Sequence, residues 1–133
     1  MKIRHVALSE TILQDKLGRW SLIGIYSDDI LVDTFPAHVT CALYVEVEGV
    51  EDGEIELEFK LGKKTVAKGF GLLECSGSET PSSGVISALG IDLRLKESAE
   101  FSVILYQEGK RKTLLKKKIR LRRDRGSERI AKL

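Results

Sequence analysis

From Lys110 to Arg125 the chain carries ten basic residues and one acidic one, although the formal net charge of all 133 residues is only +2. Charge concentrated in this way attracts phosphates or an acidic protein surface through a field that salt weakens. Lys116, Lys118, Arg120, Arg122, Arg123 and Arg125 are therefore the candidate partner- or phosphate-binding residues. Sequence-tolerant binders of single-stranded nucleic acid also stack bases on exposed aromatic rings, and this neighbourhood offers only Tyr106. Negative charge gathers earlier, in Glu46, Glu48, Glu51, Asp52, Glu54, Glu56 and Glu58. Such a set can bind a cation or repel a wrong partner, but it reads more simply as the solvated side of a sheet. Like charges facing one another across paired strands are destabilising, so these glutamates favour basic neighbours. The C-terminal strip can supply them, within one molecule or across a dimer.

The other reactive side chains form no constellation. Asp28, Asp29 and Asp33 share one loop, as calcium ligands do at the ends of some β-sandwiches, but three carboxylates without a second acidic loop make a poor cage. Loop capping is their expected role. His5 and His38 lie far apart in sequence, with no serine or cysteine placed beside either as an activated nucleophile. Cys41 and Cys75 lack the spacing of a zinc site or a redox motif and are expected to be free, buried and inert. Gly69 and Gly71 precede no helix, so they form no phosphate cradle. These residues assign no catalytic group, metal, cofactor or small-molecule substrate, and the chain reads as a non-enzyme.

The elements that must position the charged residues are strands. Ile55, Leu57, Phe59 and Leu61 alternate with Glu54, Glu56, Glu58 and Lys60, and Leu115, Ile119 and Leu121 alternate with Lys116, Lys118, Arg120 and Arg122. A period of two is the signature of a strand with one apolar face. Within 113–123, Lys117 falls on the apolar side, and Leu115 with Ile119 also fits a helical pair; strand is the favoured reading because a hairpin turn at Glu108-Gly109-Lys110 precedes it. Further strands are expected at Ile3–Leu8, Trp20–Tyr26, Val39–Val47, Thr65–Cys75, Val85–Leu95 and Phe101–Tyr106, about eight in all. Gly69 and Gly71 predict a bulge or a close backbone approach. Ser27–Pro36 reads as a loop or crossover, with a cis bond favoured modestly at Phe35-Pro36, and 76–84 as a low-complexity loop.

Strands with turn signals and no interior helix predict an all-β antiparallel β-sandwich, immunoglobulin-like or C2-like, over residues 1–123, followed by a tail or short helix over 124–133. No apolar stretch approaches the roughly 20 residues that cross a bilayer, and no secretion signal is visible after Lys2, Arg4 and His5. A cytoplasmic location is the expectation, without membrane contact.

The first strand, Asp15, Gly18, the run Trp20-Ser21-Leu22-Ile23-Gly24-Ile25-Tyr26 and then Phe35-Pro36-Ala37 together resemble a family of small uncharacterised bacterial and phage proteins. The resemblance extends over about three quarters of the chain, although its recognisable motif lies in the first 40 residues. It implies an all-β sandwich and transfers no catalytic residue. It also casts Gly24 as a site of close packing or a bulge and Trp20 as an anchor near a sheet edge. The expected function is a noncatalytic accessory module that docks a protein, or its own copy as a homodimer, through a charged sheet face, an edge or loops. The alternative is a nucleic-acid-associated protein that binds phosphates through the basic strand.

Overall fold

Alternating apolar side chains are satisfied here by two sheets packed face to face. The computed structural model describes residues 1–73 and 83–122. Among them the chain forms β1 (Lys2–Gln14), β2 (Trp20–Ile25), β3 (Ile30–Val32), β4 (Ala37–Glu48), β5 (Gly53–Leu61), β6 (Lys64–Leu73), β7 (Ser83–Leu95), β8 (Ala99–Gln107) and β9 (Lys110–Leu121). A four-stranded sheet has the order β2-β1-β4-β7, and a five-stranded sheet the order β3-β9-β8-β5-β6. All pairings are antiparallel except β3 with β9, which is parallel. The all-β sandwich read from the sequence is therefore the observed fold, with nine strands in place of about eight.

The additional strand is β3, inside the segment expected to be a loop. Ile30 pairs with Ile119 and is 1% exposed, so burial of one isoleucine fastens the crossover to the edge of β9. The Phe35-Pro36 bond that follows is cis. Of the loop expected over 76–84, Ser83 and Gly84 belong instead to β7, where they pair with Glu48 and Val47; its remainder, Cys75 and the tail expected over 124–133 lie outside the described residues.

Between the sheets, Leu43, Val45, Leu93, Phe101, Val103 and Ile119 are essentially inaccessible to solvent. Phe59 and Phe101 stack with ring centroids 6.4 Å apart and planes 9° from parallel, which ties β5 to β8 at the centre of the core. Cys41 is buried and free, and burial pushes its thiol up to about 12. A protonated, enclosed thiol is a poor nucleophile.

Two local irregularities redirect side chains. In β7, Leu89 and Gly90 together oppose Ala42, because the register with β4 shifts between Cys41 and Leu43. Gly90 takes φ 65°, the left-handed region that suits glycine. Consequently Ile86 and Ala88 join Ile91, Leu93 and Leu95 in the core, while Leu89 is 64% exposed. An uninterrupted alternation over the strand expected at Val85–Leu95 would put Val85, Ser87 and Leu89 on the face of Ile91, Leu93 and Leu95, and that bulge corrects it. In the first hairpin, Leu8 belongs to the main core but Ile12 packs outside it with Ala42 and Tyr44. Gly24 lies near this changeover with φ 70°, and a Cβ there would meet the Glu10 side chain at 2.9 Å. Trp20 anchors the edge strand by an edge-on contact with Tyr44, at 5.8 Å between centroids.

Candidate docking face on the five-stranded sheet

The two charged alternations of the sequence lie on the same outward face. β5 contributes Glu54, Glu56 and Glu58, and β9 contributes Lys116, Lys118 and Arg120, with β8 between them. Adjacent strands are separated by about 4.8 Å, so the acidic and basic stripes run roughly 10 Å apart, and no ion pair joins them among the described residues. β8 fills the interval with Ser102, Ile104 and Tyr106, and Ile104 is only 2% exposed although it faces outward. Long charged side chains on both flanks can cover such a residue with their hydrocarbon stems.

Each stripe finds its partners elsewhere. Lys68 on β6 approaches Glu56 at 3.5 Å. Glu58 accepts hydrogen bonds from the Thr65 hydroxyl at 2.6 Å and the Tyr106 hydroxyl at 2.9 Å. These two donors, Thr65 first, hold its carboxyl below the usual range, and the same bond to Glu58 pushes the Tyr106 phenol up. The expectation that β9 would neutralise the glutamates within one molecule is not met: Glu56 and Glu58 take partners on β6 and β8, and Arg120 and Arg122 turn to the aspartate loop. Glu46 and Glu48 belong to β4 in the other sheet and lie apart from this group.

The basic stripe is partly taken up by the aspartate loop. Arg120 donates from Nε to Asp29 at 2.9 Å, and Arg122 approaches Asp33 at 3.4 Å. Lys117, paired across from Phe101 on the apolar side, extends its ammonium to the Asp28 carbonyl at 3.0 Å. The Asp29 carboxylate is held below its ordinary range, first by Arg120 and further by the backbone N–H of Lys118. Asp29 and Asp33 thus turn their carboxylates toward β9 as counter-charges, while Asp28 contributes its backbone carbonyl. Lys116 and Lys118 form no ion pair among the described residues. Arg123 and Arg125 lie outside those residues.

A feature that charge patterning did not single out is the apolar exposure on β6. Phe70 is 77% exposed and Leu72 67% exposed, and both project on the outward face beside Glu56 and Glu54, with which they pair. With Tyr106 and the β8–β9 turn they line an open groove of about 920 Å³ whose charged lining residues, Glu54, Glu56 and Glu108, are all acidic. The sequence signal was the spacing Gly69-Phe70-Gly71-Leu72, in which large apolar residues alternate with glycines. The bulge expected at those glycines lies instead where Phe59 and Lys60 face Ala67 and Thr65. Gly69 and Gly71 leave the inward side of β6 bare: a Cβ at Gly69 would meet nothing within 4 Å. A second group of exposed apolar residues, Leu13, Ile23 and Ile25, lies on the β1–β2 hairpin.

His38 Nε2 contacts the Asp92 carboxylate across β4 and β7. No serine, threonine or cysteine hydroxyl or thiol is hydrogen-bonded to either histidine in the described residues. No group of three or more metal-ligating side chains is assembled among the described residues, and none of them forms a helix able to cross a membrane. No protein-family model, curated protein or solved structure matches the chain.

Proposed function

We propose that the protein is a noncatalytic cytoplasmic binding module that docks a protein partner on the outer face of the five-stranded sheet, at β6 and the adjoining acidic groove. The observation that carries this reading is the exposure of Phe70 and Leu72, at 77% and 67%, in a regular strand beside the carboxylates of β5. Folding gains little from a phenylalanine left this far in water, whereas aromatic anchors beside polar rims dominate protein interfaces. The test is affinity capture from the source organism with three baits: the wild type, Phe70→Ser/Leu72→Ser and Lys116→Glu/Lys118→Glu. A stoichiometric protein retained by the wild type and the lysine variant, and lost from the β6 variant, supports the reading. Retention by the β6 variant contradicts it.

A second reading, phosphate binding by β9, is favoured by one observation. Lys116 and Lys118 stand on the outward face without ion-pair partners among the described residues, and Arg111 continues their row. Three cations on one face support only a short slope of affinity against salt, about −2 for a single strand in logarithmic units. Partners that disappear on nuclease treatment and on charge reversal of Lys116 and Lys118 would transfer the assignment to this reading.

A further inference from the structure

A strand at the edge of a sheet leaves half of its backbone donors and acceptors unpaired, and most proteins obstruct that edge with charge, a break or brevity. Such devices are visible on the other edges of this sandwich. β3 is only three residues long. β2 and β7 each carry a glycine in the left-handed region, Gly24 at φ 70° and Gly90 at φ 65°, and β7 is bulged at the second. The part of β9 not covered by β3, Lys110–Lys118, carries six lysines and arginines and a register shift opposite Val103 and Ile104. β6 is guarded in its first half by Lys64 and Lys68 and a register shift, but from Gly69 to Leu73 it has no charge, proline or bulge. Among the described residues no strand pairs with its outer edge.

The geometry points to a specific occupant: an extended cationic segment of a partner protein, with Lys or Arg alternating with apolar residues, that adds to Gly69–Leu73 as a sixth strand. This inference rests on the protein-docking reading above and names what that partner presents. Its charge follows from the groove, where Glu54 forms no ion pair among the described residues and Glu56 has only Lys68 at 3.5 Å. Its periodicity follows from the pleat. Outward residues of an added strand recur about every 6.7 Å, the same repeat as Phe70 and Leu72 and as Glu54, Glu56 and Glu58. A lysine or arginine at each outward position can lie across the Phe70 ring toward Glu56, or across Leu72 toward Glu54, gaining a cation–π contact at the first. The inward positions of the same strand face Gly69 and Gly71, whose missing side chains leave room for a branched apolar residue; Ile55 lies 3.6 Å from where a Cβ of Gly71 would be. Backbone hydrogen bonds to the edge supply affinity, and the alternation supplies specificity.

The test is a nuclear magnetic resonance titration of the 15N-labelled full chain with the peptide Lys-Val-Lys-Val-Lys-Val, capped at both ends. Expected are saturable shifts of the Gly69, Phe70, Gly71 and Leu72 amides. The block sequence Lys-Lys-Lys-Val-Val-Val should bind at least tenfold more weakly. N-methylation of alternate peptide amides should abolish binding in one phase of the alternation and leave it within threefold in the other, as only an added strand requires. Glu54→Gln/Glu56→Gln, which keeps the shape of the face, should weaken binding at least fivefold. Shifts confined to 110–122, equal sensitivity to both N-methylation phases, or no shifts would overturn the inference. A dimeric protein whose β6 amides are already protected would also overturn it, assigning the edge to a second copy. If the captured partner still requires Phe70 and Leu72 while the peptide leaves β6 unmoved, strand addition falls and the docking reading stands. If the partner ignores both side chains, both fall.

Discussion

Two phenylalanines, Phe70 and Phe101, separate what the fold needs from what a partner would need. Phe101 is 0% exposed and stacked on Phe59 at 6.4 Å between centroids. Truncating it to alanine removes its transfer energy and leaves a cavity between the sheets, a change that costs about 3–5 kcal/mol. For a chain of this length each kcal/mol moves the midpoint by about 4 °C, so Phe101→Ala should lower Tm by roughly 12–20 °C. Phe70 is 77% exposed, so only about a quarter of its surface is withdrawn from water on folding. With full burial of such a side chain contributing up to about 3 kcal/mol, Phe70→Ala should cost less than about 1 kcal/mol and move Tm by at most about 4 °C. In partner binding the order reverses: a central aromatic anchor is worth about 2 kcal/mol or more, a loss of roughly thirtyfold in affinity. Differential scanning calorimetry of the two variants, with binding of the captured partner measured on Phe70→Ala, reads both quantities. A fall in Tm above about 8 °C for Phe70→Ala would show that this side chain serves the fold and refute the reasoning.

Gly24→Ala should destabilise by about 1–3 kcal/mol in chemical denaturation, because the left-handed backbone penalises a Cβ and the new methyl would meet Glu10; a neutral result would contradict the left-handed backbone and the close approach at this position. The Asp29 carboxyl has its folded-state pKa depressed, chiefly by Arg120. The stability it contributes is present above the unfolded carboxylate range and is lost as pH falls through the folded value. The Tm difference between wild type and Asp29→Asn should therefore be largest near neutrality and close in acid, and a difference that widened in acid would be inconsistent with the pair. In a Cys75→Ser background, Cys41 should resist a thiol reagent in the native protein and react only on unfolding, since it is 0% exposed and its thiol is pushed up to about 12. Rapid labelling of the folded chain would show that the core opens at β4.

The sequence revealed faces better than neighbours. The period of two over 55–61 and 115–122 identified β5 and β9 and placed their apolar sides correctly, because that repeat follows from the geometry of a single strand. Lys117 was visible as an anomaly, and the fold resolves it by leading the ammonium out to the Asp28 carbonyl at 3.0 Å. What one strand cannot report is which strand lies beside it. The intervention of β8 between the charged stripes, and the parallel pairing of β3 that brings Asp29 and Asp33 to β9, are properties of the topology. The bulge at Leu89-Gly90 was hidden for a different reason: one extra residue reverses inside and outside while leaving the local composition unchanged. The exposed edge at Gly69–Leu73 combined both difficulties. Its glycines read as punctuation, and its status as an edge depends on the order of all five strands.

Amide hydrogen exchange of the chain, alone and in complex with the partner captured on it, addresses the docking claim most directly. Protection gained by amides within Gly69–Leu73, with those of Lys110–Lys118 unchanged, is the predicted result. Protection concentrated along Lys110–Lys118, with β6 exchanging as freely as in the isolated chain, would place the partner on the basic strand and contradict the account.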